Sequence, residues 1–200
     1  MPSAILFDLG GVLFHYEPER RWEALAAMTG LSVEDVQKRL SASGYSQACD
    51  AGRYRGKRLF DEAYRLLGQR LSRERFVHGW VSAFRPDEAV LEIALRLKEK
   101  TPIALFTNNS ELVREGLEAL WPAVLAPFMP RIFSADIGRM KPDPRAYEQA
   151  AVLLGEPAEA ILVIDDAPVN TASAAAVGFR TLTFSDAAVL EVELADAGLL

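Results

Sequence analysis

Short apolar runs recur along the chain and predict buried β-strands. Each run is followed by polar residues or by glycine, as strand ends usually are. The runs are Ile5–Phe7, Ile103–Phe106, Ile132–Phe133, Ile161–Ile164 and Thr181–Phe184. Between the later runs, apolar residues recur at helical spacing over Asp87–Lys100, Ser110–Leu120, Pro144–Gly155 and Ala167–Gly178. Strands that alternate with helices in this order predict an α/β protein with a parallel sheet and right-handed crossovers.

The segment between the first two predicted strands has a different pattern. No strand is predicted from about His15 to Phe84, and apolar spacing instead predicts the helices Arg20–Gly30, Ser32–Ala42, Arg58–Gly68 and Ser72–Phe84. A helical insertion at this place would lie over the end of the first strand. We therefore expect an α/β core domain of residues 1–14 and 86–200, with an inserted α-helical cap domain of residues 15–85.

Composition and charge narrow the class of protein. The chain has 200 residues, half of them hydrophobic, which is enough for one sizeable core with an insertion. Its formal net charge of −6 argues against a surface for nucleic acid or acidic membranes. The single cysteine, Cys49, demands no oxidising compartment, and neither a signal peptide nor a membrane span is predicted. We expect a cytoplasmic protein; the sequence leaves its oligomeric state open.

The first predicted strand delivers a carboxylate to the place where ligands usually bind. Asp8 directly follows Ile5–Phe7 and precedes Gly10 and Gly11. In open α/β sheets, ligands bind at the carboxyl ends of the strands. Asp8 is therefore a candidate nucleophile or metal ligand. An ordinary aspartate in a strand-to-loop turn is the alternative, and this segment taken alone favours that alternative.

Two further segments offer groups for an anion. Thr107 ends the second strand, and the N–H groups from Asn108 onward begin a helix, whose N-terminus is a natural anion site. The alternative is that Asn109 or Ser110 only caps this helix. Lys141 lies in a loop ahead of two prolines, where its charge could neutralise a phosphate or a carboxylate.

A pair of carboxylates ends the fourth predicted strand. Asp165 and Asp166 directly follow Ile161–Ile164. Neighbouring like charges repel, and Asp8 at the same sheet edge would add a third. A hard cation with oxygen ligands, such as Mg²⁺, resolves this repulsion. The pair therefore predicts a magnesium site.

In order and context, these segments resemble the four motifs of the haloacid dehalogenase (HAD) superfamily. The motif residues are Asp8, Thr107, Lys141 and the pair Asp165 and Asp166. The resemblance covers essentially the whole chain, and the helical insertion resembles the superfamily's C1 cap. Within the superfamily, the chain is similar to the α-glucose-1-phosphate phosphatase type and to the N-terminal phosphatase domain of soluble epoxide hydrolase. The segments behind this similarity are Phe7–Val12, Phe76–Trp80 and Met140–Pro142.

This resemblance implies a Rossmann-like core, with helices on both faces of the sheet, and the activity of a phosphoric monoester hydrolase. The implied substrate is a small phosphorylated metabolite such as a sugar phosphate, which Asp8 would attack to form an aspartyl-phosphate. The implied Mg²⁺ ligands are Asp8, the carbonyl of Gly10 and Asp166. Asp165 would either orient these ligands or be a further ligand itself. The implied groups for the remaining phosphate oxygens are Thr107, the N–H of Asn108 and Lys141.

One position departs from the superfamily's pattern. Most of its phosphatases carry a second aspartate two residues after the nucleophile, as the general acid and base, and here that residue is Gly10. Such catalysis contributes roughly 10²–10⁴-fold. Three explanations are open: the leaving group has a low pKa and needs less protonation, another residue replaces the missing aspartate, or catalysis is lost. The candidate substitutes are His15, Tyr16, Glu17, Asp50, Arg53 and Arg55.

Arg53 and Arg55 are also candidates for specificity. They lie in a glycine-bracketed basic segment, Gly52–Arg58, which could reach an anionic or sugar substrate; a solvated basic turn is the alternative.

Two other functions stay open. The metal-independent 2-haloacid dehalogenases also lack the second aspartate, but their fourth motif resembles Ser-x-Asn…Asp, so the pair of Asp165 and Asp166 argues against this activity. A binding protein with weak or no catalysis is the other alternative, and the retention of Asp8 and Lys141 argues against it.

Overall fold

The computed structural model describes residues 1–200, which form seven strands and twelve helices. The strands are β1 (Ala4–Phe7), β2 (Phe14–Tyr16), β3 (Phe84–Pro86), β4 (Ile103–Thr107), β5 (Arg131–Phe133), β6 (Ile161–Asp165) and β7 (Arg180–Thr183). The helices of the first half are α1 (Pro18–Thr29), α2 (Val33–Gln37, continued by a π-helical turn over Lys38–Ala42), α3 (Tyr45–Asp50), α4 (Gly56–Leu67) and α5 (Arg73–Val81). Those of the second half are α6 (Glu88–Lys98), α7 (Glu111–Leu120), α8 (Pro122–Leu125), α9 (Ser134–Ile137), α10 (Pro144–Leu154), α11 (Pro168–Val177) and α12 (Ala187–Asp196).

A five-stranded parallel sheet forms the centre of the molecule, in the order β5-β4-β1-β6-β7. Alternate residues of its strands face opposite sides, as the pleat requires. On β1, Ile5 and Phe7 join a hydrophobic cluster that includes residues of α6, α7 and α12. Ala4 and Leu6 join a second cluster, with residues of α10 and α11. The sheet is thus covered on both faces, which confirms the predicted α/β class.

The helical segment between β1 and β4 corrects the sequence-based prediction at its ends. β2 and β3 lie where no strand was expected, and they pair antiparallel, with Tyr16 opposite Phe84. Three residues are too few to give a pattern that hydrophobic alternation can reveal. Helix α3 was also missed, whereas α1, α2, α4 and α5 match predicted helices.

The helical segment packs tightly against the rest of the molecule. Helix α5 contacts both α1 and α7. At Gly116 of α7, an added Cβ would lie 2.4 Å from Cγ1 of Val81, so the two helices approach as closely as glycine permits. The division into a core and a cap remains a prediction, and residues 15–85 are called the cap segment below. None of the helices is long and apolar enough to cross a membrane.

Candidate active site

The carboxyl ends of three neighbouring strands bring the predicted site residues together. Asp8 follows β1, Thr107 ends β4 and Asp165 ends β6. Because β1 lies between β4 and β6, Asp8 is at the middle of this edge. Its backbone N–H donates to the carbonyl oxygen of Ile164 at 2.9 Å, which fixes the start of the loop after β1. Parallel pairing therefore gathers residues that are more than 150 positions apart in sequence.

Lys141 supplies a buried positive charge at this edge. Its Nζ lies 2.9 Å from Oδ1 of Asp8 and 2.6 Å from Oδ2 of Asp165, and it donates to the carbonyl of Phe106 at 3.0 Å. Three acceptors match the three protons of an ammonium group. Burial lowers the pKa of Lys141, but the charges and hydrogen bonds of the two carboxylates outweigh it and raise the pKa above its usual value. Lys141 is therefore held as a cation.

Asn108 fixes the backbone that carries this lysine. Its side-chain oxygen accepts from the N–H of Lys141 at 2.8 Å, and its side-chain nitrogen donates to the carbonyl oxygen of Lys141 at 2.7 Å. A paired contact of this kind sets both the position and the orientation of a loop residue. The sequence-based interpretation gave Asn108 a role only through its backbone N–H.

Asp165 is fully buried and both of its oxygens are hydrogen-bonded. Oδ2 accepts from Lys141, while Oδ1 accepts from the N–H of Ala167 at 3.0 Å and from the side chain of Asn170 at 2.9 Å. A carboxylate saturated in this way positions its neighbours. Asn170 was missed at the sequence level, although its place in the first turn of the helix that follows the Asp pair is a signal.

The carboxylates of Asp8, Asp165 and Asp166 form a cluster that suits a divalent cation. One oxygen from each lies within 4.8 Å of the others. Burial raises the pKa of Asp8 to about 6, Lys141 opposes this rise, and Asp165 adds to it. Burial and then the charge of Asp165 also raise the pKa of Asp166. Three carboxylates at this edge therefore face one ammonium group, that of Lys141.

Gly11 makes room for the Asp166 carboxylate. The φ angle of Gly11 is +84°, and a Cβ built on it would lie 2.4 Å from Oδ2 of Asp166. Only glycine leaves this space open. The exposed carboxylate of Asp166 therefore rests against Gly11, next to Gly10 in the loop after β1.

The end of β4 presents the groups predicted for anion binding. Thr107 is buried, and its Oγ1 accepts from the side chain of Asn109 at 2.7 Å. Ser110 occupies the N-cap position of α7 without a capping hydrogen bond from its side chain. Its buried hydroxyl has no hydrogen-bond partner. Neither Asn109 nor Ser110 therefore acts as the side-chain cap that was the alternative interpretation.

A cavity of about 170 Å³ opens beside Asp8. The core contributes Asp8, Gly10, Thr107, Asn108 and Asn109, and the cap segment contributes Tyr16, Arg21, Asp50 and Phe84. Burial is the main cause that raises the pKa of Asp50 to about 7, while the charge of Arg21 and the N–H of Ser110 oppose the rise. Tyr16 and Asp50 are thus the two candidate substitutes for the missing aspartate that reach the cavity.

The other candidates from the cap segment lie elsewhere. Nε2 of His15 lies 3.4 Å from Oδ2 of Asp87, and Glu17 pairs with Arg20 at 2.7 Å. Arg55 is 2.7 Å from Asp136 and so joins the cap segment to α9.

Arg53 lines a separate groove between α3 and α4. The structure therefore does not bring Arg53 or Arg55, the predicted specificity residues, into the cavity beside Asp8.

Arg21 and Phe84 are the cavity residues that the sequence-based interpretation missed, and Arg21 is the charged one. Its signal was present: Arg21 is a charged residue on the buried face of α1, which also carries Trp22 and Leu25. Charged side chains in such positions are rarely buried without a partner or a function.

Comparisons with known proteins agree with this geometry. A family model described as haloacid dehalogenase-like hydrolase matches residues 2–178. Phosphatase MT3486 of Mycobacterium tuberculosis is 30% identical over 196 residues, which cover 89% of this chain and 85% of that protein. The family resemblance is thereby confirmed, while the similarity to particular phosphatase subgroups stays a prediction.

Solved structures show the same fold at low sequence identity. A HAD family enzyme of Bacteroides thetaiotaomicron, in complex with magnesium and inorganic phosphate, has a TM-score of 0.81 and 21% identity, covering 92% of this chain and 95% of that one. L-2-haloacid dehalogenase of Xanthobacter autotrophicus has a TM-score of 0.63 and 16% identity, covering 100% of this chain and 85% of that one. Together with the family match, the strand-end carboxylates and the buried lysine, this leads to one conclusion: the chain belongs to the haloacid dehalogenase-like hydrolase family and is an enzyme.

Proposed function

We propose that the chain is a Mg²⁺-dependent phosphatase that hydrolyses a small phosphomonoester, for example a sugar phosphate, through an aspartyl-phosphate on Asp8. The observation that carries the proposal is the contact between Asp8 and the buried ammonium group of Lys141 at the wall of the small cavity. Two relatives support it. The Mycobacterium tuberculosis protein is a phosphatase, and the Bacteroides thetaiotaomicron enzyme was crystallised with magnesium and inorganic phosphate.

The donor set fits Mg²⁺. Asp8, the carbonyl of Gly10 and Asp166 would hold the ion, and they offer only hard oxygen ligands. Asp165 would orient this shell, because its own oxygens are already hydrogen-bonded. When bound, Mg²⁺ supplies positive charge that offsets the charge of the phosphate oxygens.

The protein residues carry out the transfer. An oxygen of Asp8 forms a bond to phosphorus while the bond from phosphorus to the alcohol oxygen breaks, and the alkoxide takes a proton from solvent. Water then attacks phosphorus and gives up a proton to solvent while the bond between Asp8 and phosphorus breaks, which releases inorganic phosphate and restores Asp8. Phosphoryl transfer depends mainly on positioning and on neutralising charge. Thr107, the N–H of Asn108 and Lys141 would hold the oxygens that are not in the line of attack.

The leaving alcohol receives no proton from the residue two positions after the nucleophile. Gly10 has no side chain, and a Cβ at this position would lie 3.4 Å from Cε1 of Phe84 and 3.5 Å from Cβ of Tyr16. We therefore propose that the best substrates have leaving groups of low pKa, as the anomeric oxygen of a sugar has, because such groups depart with little protonation.

The experiment that tests the function is a phosphate-release screen. Sugar phosphates and p-nitrophenyl phosphate are incubated with the enzyme with and without Mg²⁺, and Asp8→Asn serves as the inactive variant. We expect release that EDTA and Asp8→Asn both abolish, together with a BeF₃⁻ adduct on Asp8. Absence of release from every ester in the presence of Mg²⁺ would contradict the proposal.

The same samples test the main alternative. A 2-haloacid dehalogenase would release chloride from 2-chloropropionate without metal. We expect none, because the exposed carboxylate of Asp166 near Asp8 would repel a carboxylate substrate when no metal ion is bound. Metal-independent chloride release would replace the phosphatase proposal.

A further inference from the structure

Arg21 is buried at a place where its charge needs an explanation. Only 5% of the residue is exposed, and burial lowers the pKa of its guanidinium group. Its Nε donates to the carbonyl of Trp80 at 2.7 Å. The guanidinium carbon lies 4.5 Å from the ring centre of Trp80 and 5.6 Å from that of Trp22. Aromatic faces and one hydrogen bond therefore fix the side chain in a single orientation.

Most of the donors of this guanidinium group are unused within the protein. Nε donates to the carbonyl of Trp80, and the hydroxyl of Tyr16 is a second acceptor for the group. The remaining N–H groups have no hydrogen-bond partner in the protein, and neither Nη atom is both fully buried and unpaired. Because Arg21 lines the cavity beside Asp8, these N–H groups are available to a bound molecule. A fixed planar group with free N–H groups is well suited to oxygen acceptors.

Asp50 adds an acceptor to the same wall. It is the last residue of α3, and its backbone oxygen accepts from the hydroxyl of Ser134 at 2.6 Å, which ties this end of α3 to the start of α9. The side-chain carboxylate has no hydrogen bond from another side chain. Its pKa near 7, set mainly by burial, also lets it exchange a hydrogen bond with a hydroxyl in either direction.

The cavity has two parts of different chemistry. Under the proposed function, the phosphoryl group lies at the core wall, against Asp8 and Thr107. The leaving group must then lie against the cap wall, which carries Arg21 and Asp50. Both parts belong to the same cavity of about 170 Å³, so the two groups of one substrate can reach both walls.

We propose that Arg21 and Asp50 are a specificity-determining pair that binds the leaving group and selects an uncharged alcohol with adjacent hydroxyl groups. This inference rests on the proposed phosphatase function. One hydroxyl accepts from the guanidinium group and its neighbour donates to the carboxylate. A leaving group with a carboxylate is repelled by Asp50, and an apolar one offers no partner to the free guanidinium N–H groups or to the carboxylate of Asp50, which costs binding free energy.

The test compares three substrates that present different groups to the pair, and each variant is measured against the wild type on the same substrate. Glycerol 1-phosphate presents adjacent hydroxyls, 3-phosphoglycerate presents a carboxylate, and p-nitrophenyl phosphate presents neither. For Asp50→Asn, we expect kcat/KM to fall about 10- to 100-fold for glycerol 1-phosphate, from the usual strength of hydrogen bonds to charged groups. We expect less than a threefold change for p-nitrophenyl phosphate and a gain for 3-phosphoglycerate.

The controls separate specificity from folding. Asp61→Asn makes the same chemical change at an exposed position of the cap segment, where the aspartate pairs with Lys57. It should leave kcat/KM unchanged for all three substrates. Arg21→Gln should give the same loss of kcat/KM for glycerol 1-phosphate, but it also removes the hydrogen bond to the carbonyl of Trp80. Thermal unfolding by circular dichroism therefore accompanies it, and Asp50→Asn alone decides the question if Arg21→Gln does not fold.

Failure of this inference is distinguishable from failure of the phosphatase function. If the wild-type enzyme hydrolyses p-nitrophenyl phosphate, but Asp50→Asn lowers kcat/KM equally for all three substrates or for none of them, the inference is wrong and the function stands. If the wild type hydrolyses nothing, the function is wrong. Calorimetric binding of glycerol 1-phosphate to Asp8→Asn, with and without Asp50→Asn, then judges the pair, and equal affinities overturn the inference.

Discussion

Substitution of Gly11 by alanine tests whether Asp166 belongs to a metal site. A Cβ on Gly11 would lie 2.4 Å from Oδ2 and 2.7 Å from Cγ of Asp166. The N–H of Gly11 donates to the carbonyl of Phe14 at 2.8 Å, so the turn resists moving away. Restoring an ordinary contact of about 3.4 Å requires the carboxylate to shift by about 1 Å. A displacement of this size takes a ligand out of position.

The magnitude has two parts, and a second glycine separates them. An alanine at the φ angle of +84° costs roughly 1–2 kcal/mol, which lowers the Tm by about 2–8 °C in a chain of this size. Gly155→Ala carries the same backbone cost, because Gly155 has a φ angle of +71°, but a Cβ there meets nothing within 4 Å. Only Gly11→Ala moves Asp166. We expect it alone to weaken Mg²⁺ binding, by about 10- to 100-fold.

Calorimetric titration of Mg²⁺ into the metal-free wild type, Gly11→Ala and Gly155→Ala measures this difference, and differential scanning fluorimetry measures the backbone cost. Both variants should lose similar thermal stability, and Gly155→Ala should bind Mg²⁺ as the wild type does. Equal Mg²⁺ affinity in the two variants would refute the assignment of Asp166 as a ligand.

Three further substitutions test the buried charges and Gly10. Lys141→Met leaves the carboxylates of Asp8 and Asp165 buried without a cation, so we expect a loss of about 3–5 kcal/mol in urea unfolding, whereas an unchanged midpoint would contradict the buried ion network. Burial raises the pKa of Asp8 from 3.8 to about 6. Between these two pH values the folded metal-free protein keeps a proton that the unfolded chain has lost. The free energy of unfolding therefore falls by up to about 3 kcal/mol as the pH rises through this window. Metal-free Asp8→Asn should therefore melt above the wild type at pH 7 and level with it near pH 4, as scanning calorimetry in EDTA would show. Gly10→Asp restores a general acid at a place where the nearest atom to the new Cβ, on Phe84, is 3.4 Å away, and steady-state kinetics should show a gain of roughly 10²-fold or more for alkyl phosphates and little for p-nitrophenyl phosphate.

The sequence predicts the core side of the site well because local signals determine it. Hydrophobic runs locate the strands, and parallel pairing then brings the residues at their carboxyl ends to one edge. Asp8, Thr107 and Asp165 could therefore be placed together without a structure. Lys141 was harder to place, since a loop residue has no strand to fix it. Its burial depends on Asn108, 33 positions away, which no local pattern connects to it.

The cap side could not be predicted in the same way. The positions of α1 and α3 depend on tertiary packing, and only that packing brings Arg21 and Asp50 to the cavity. In the sequence, Arg53 and Arg55 are the more conspicuous residues, because glycines flank them. In the fold, Arg55 instead contacts Asp136 of α9, so a basic segment that looks like a binding loop joins two parts of the molecule.

The absence of an acid at Gly10 and the cap wall of the cavity have a common structural cause. The space next to Gly10 is taken by Tyr16 and Phe84, which pair across β2 and β3 where the cap segment begins and ends. Arg21 lies near both rings, with its guanidinium carbon 5.6 Å from the centre of Tyr16 and 5.9 Å from that of Phe84. The residues that anchor the cap segment therefore also form the wall that faces the leaving group. A carboxylate restored at position 10 would have to share this wall with Arg21, so acid catalysis and leaving-group selection should change together in Gly10→Asp.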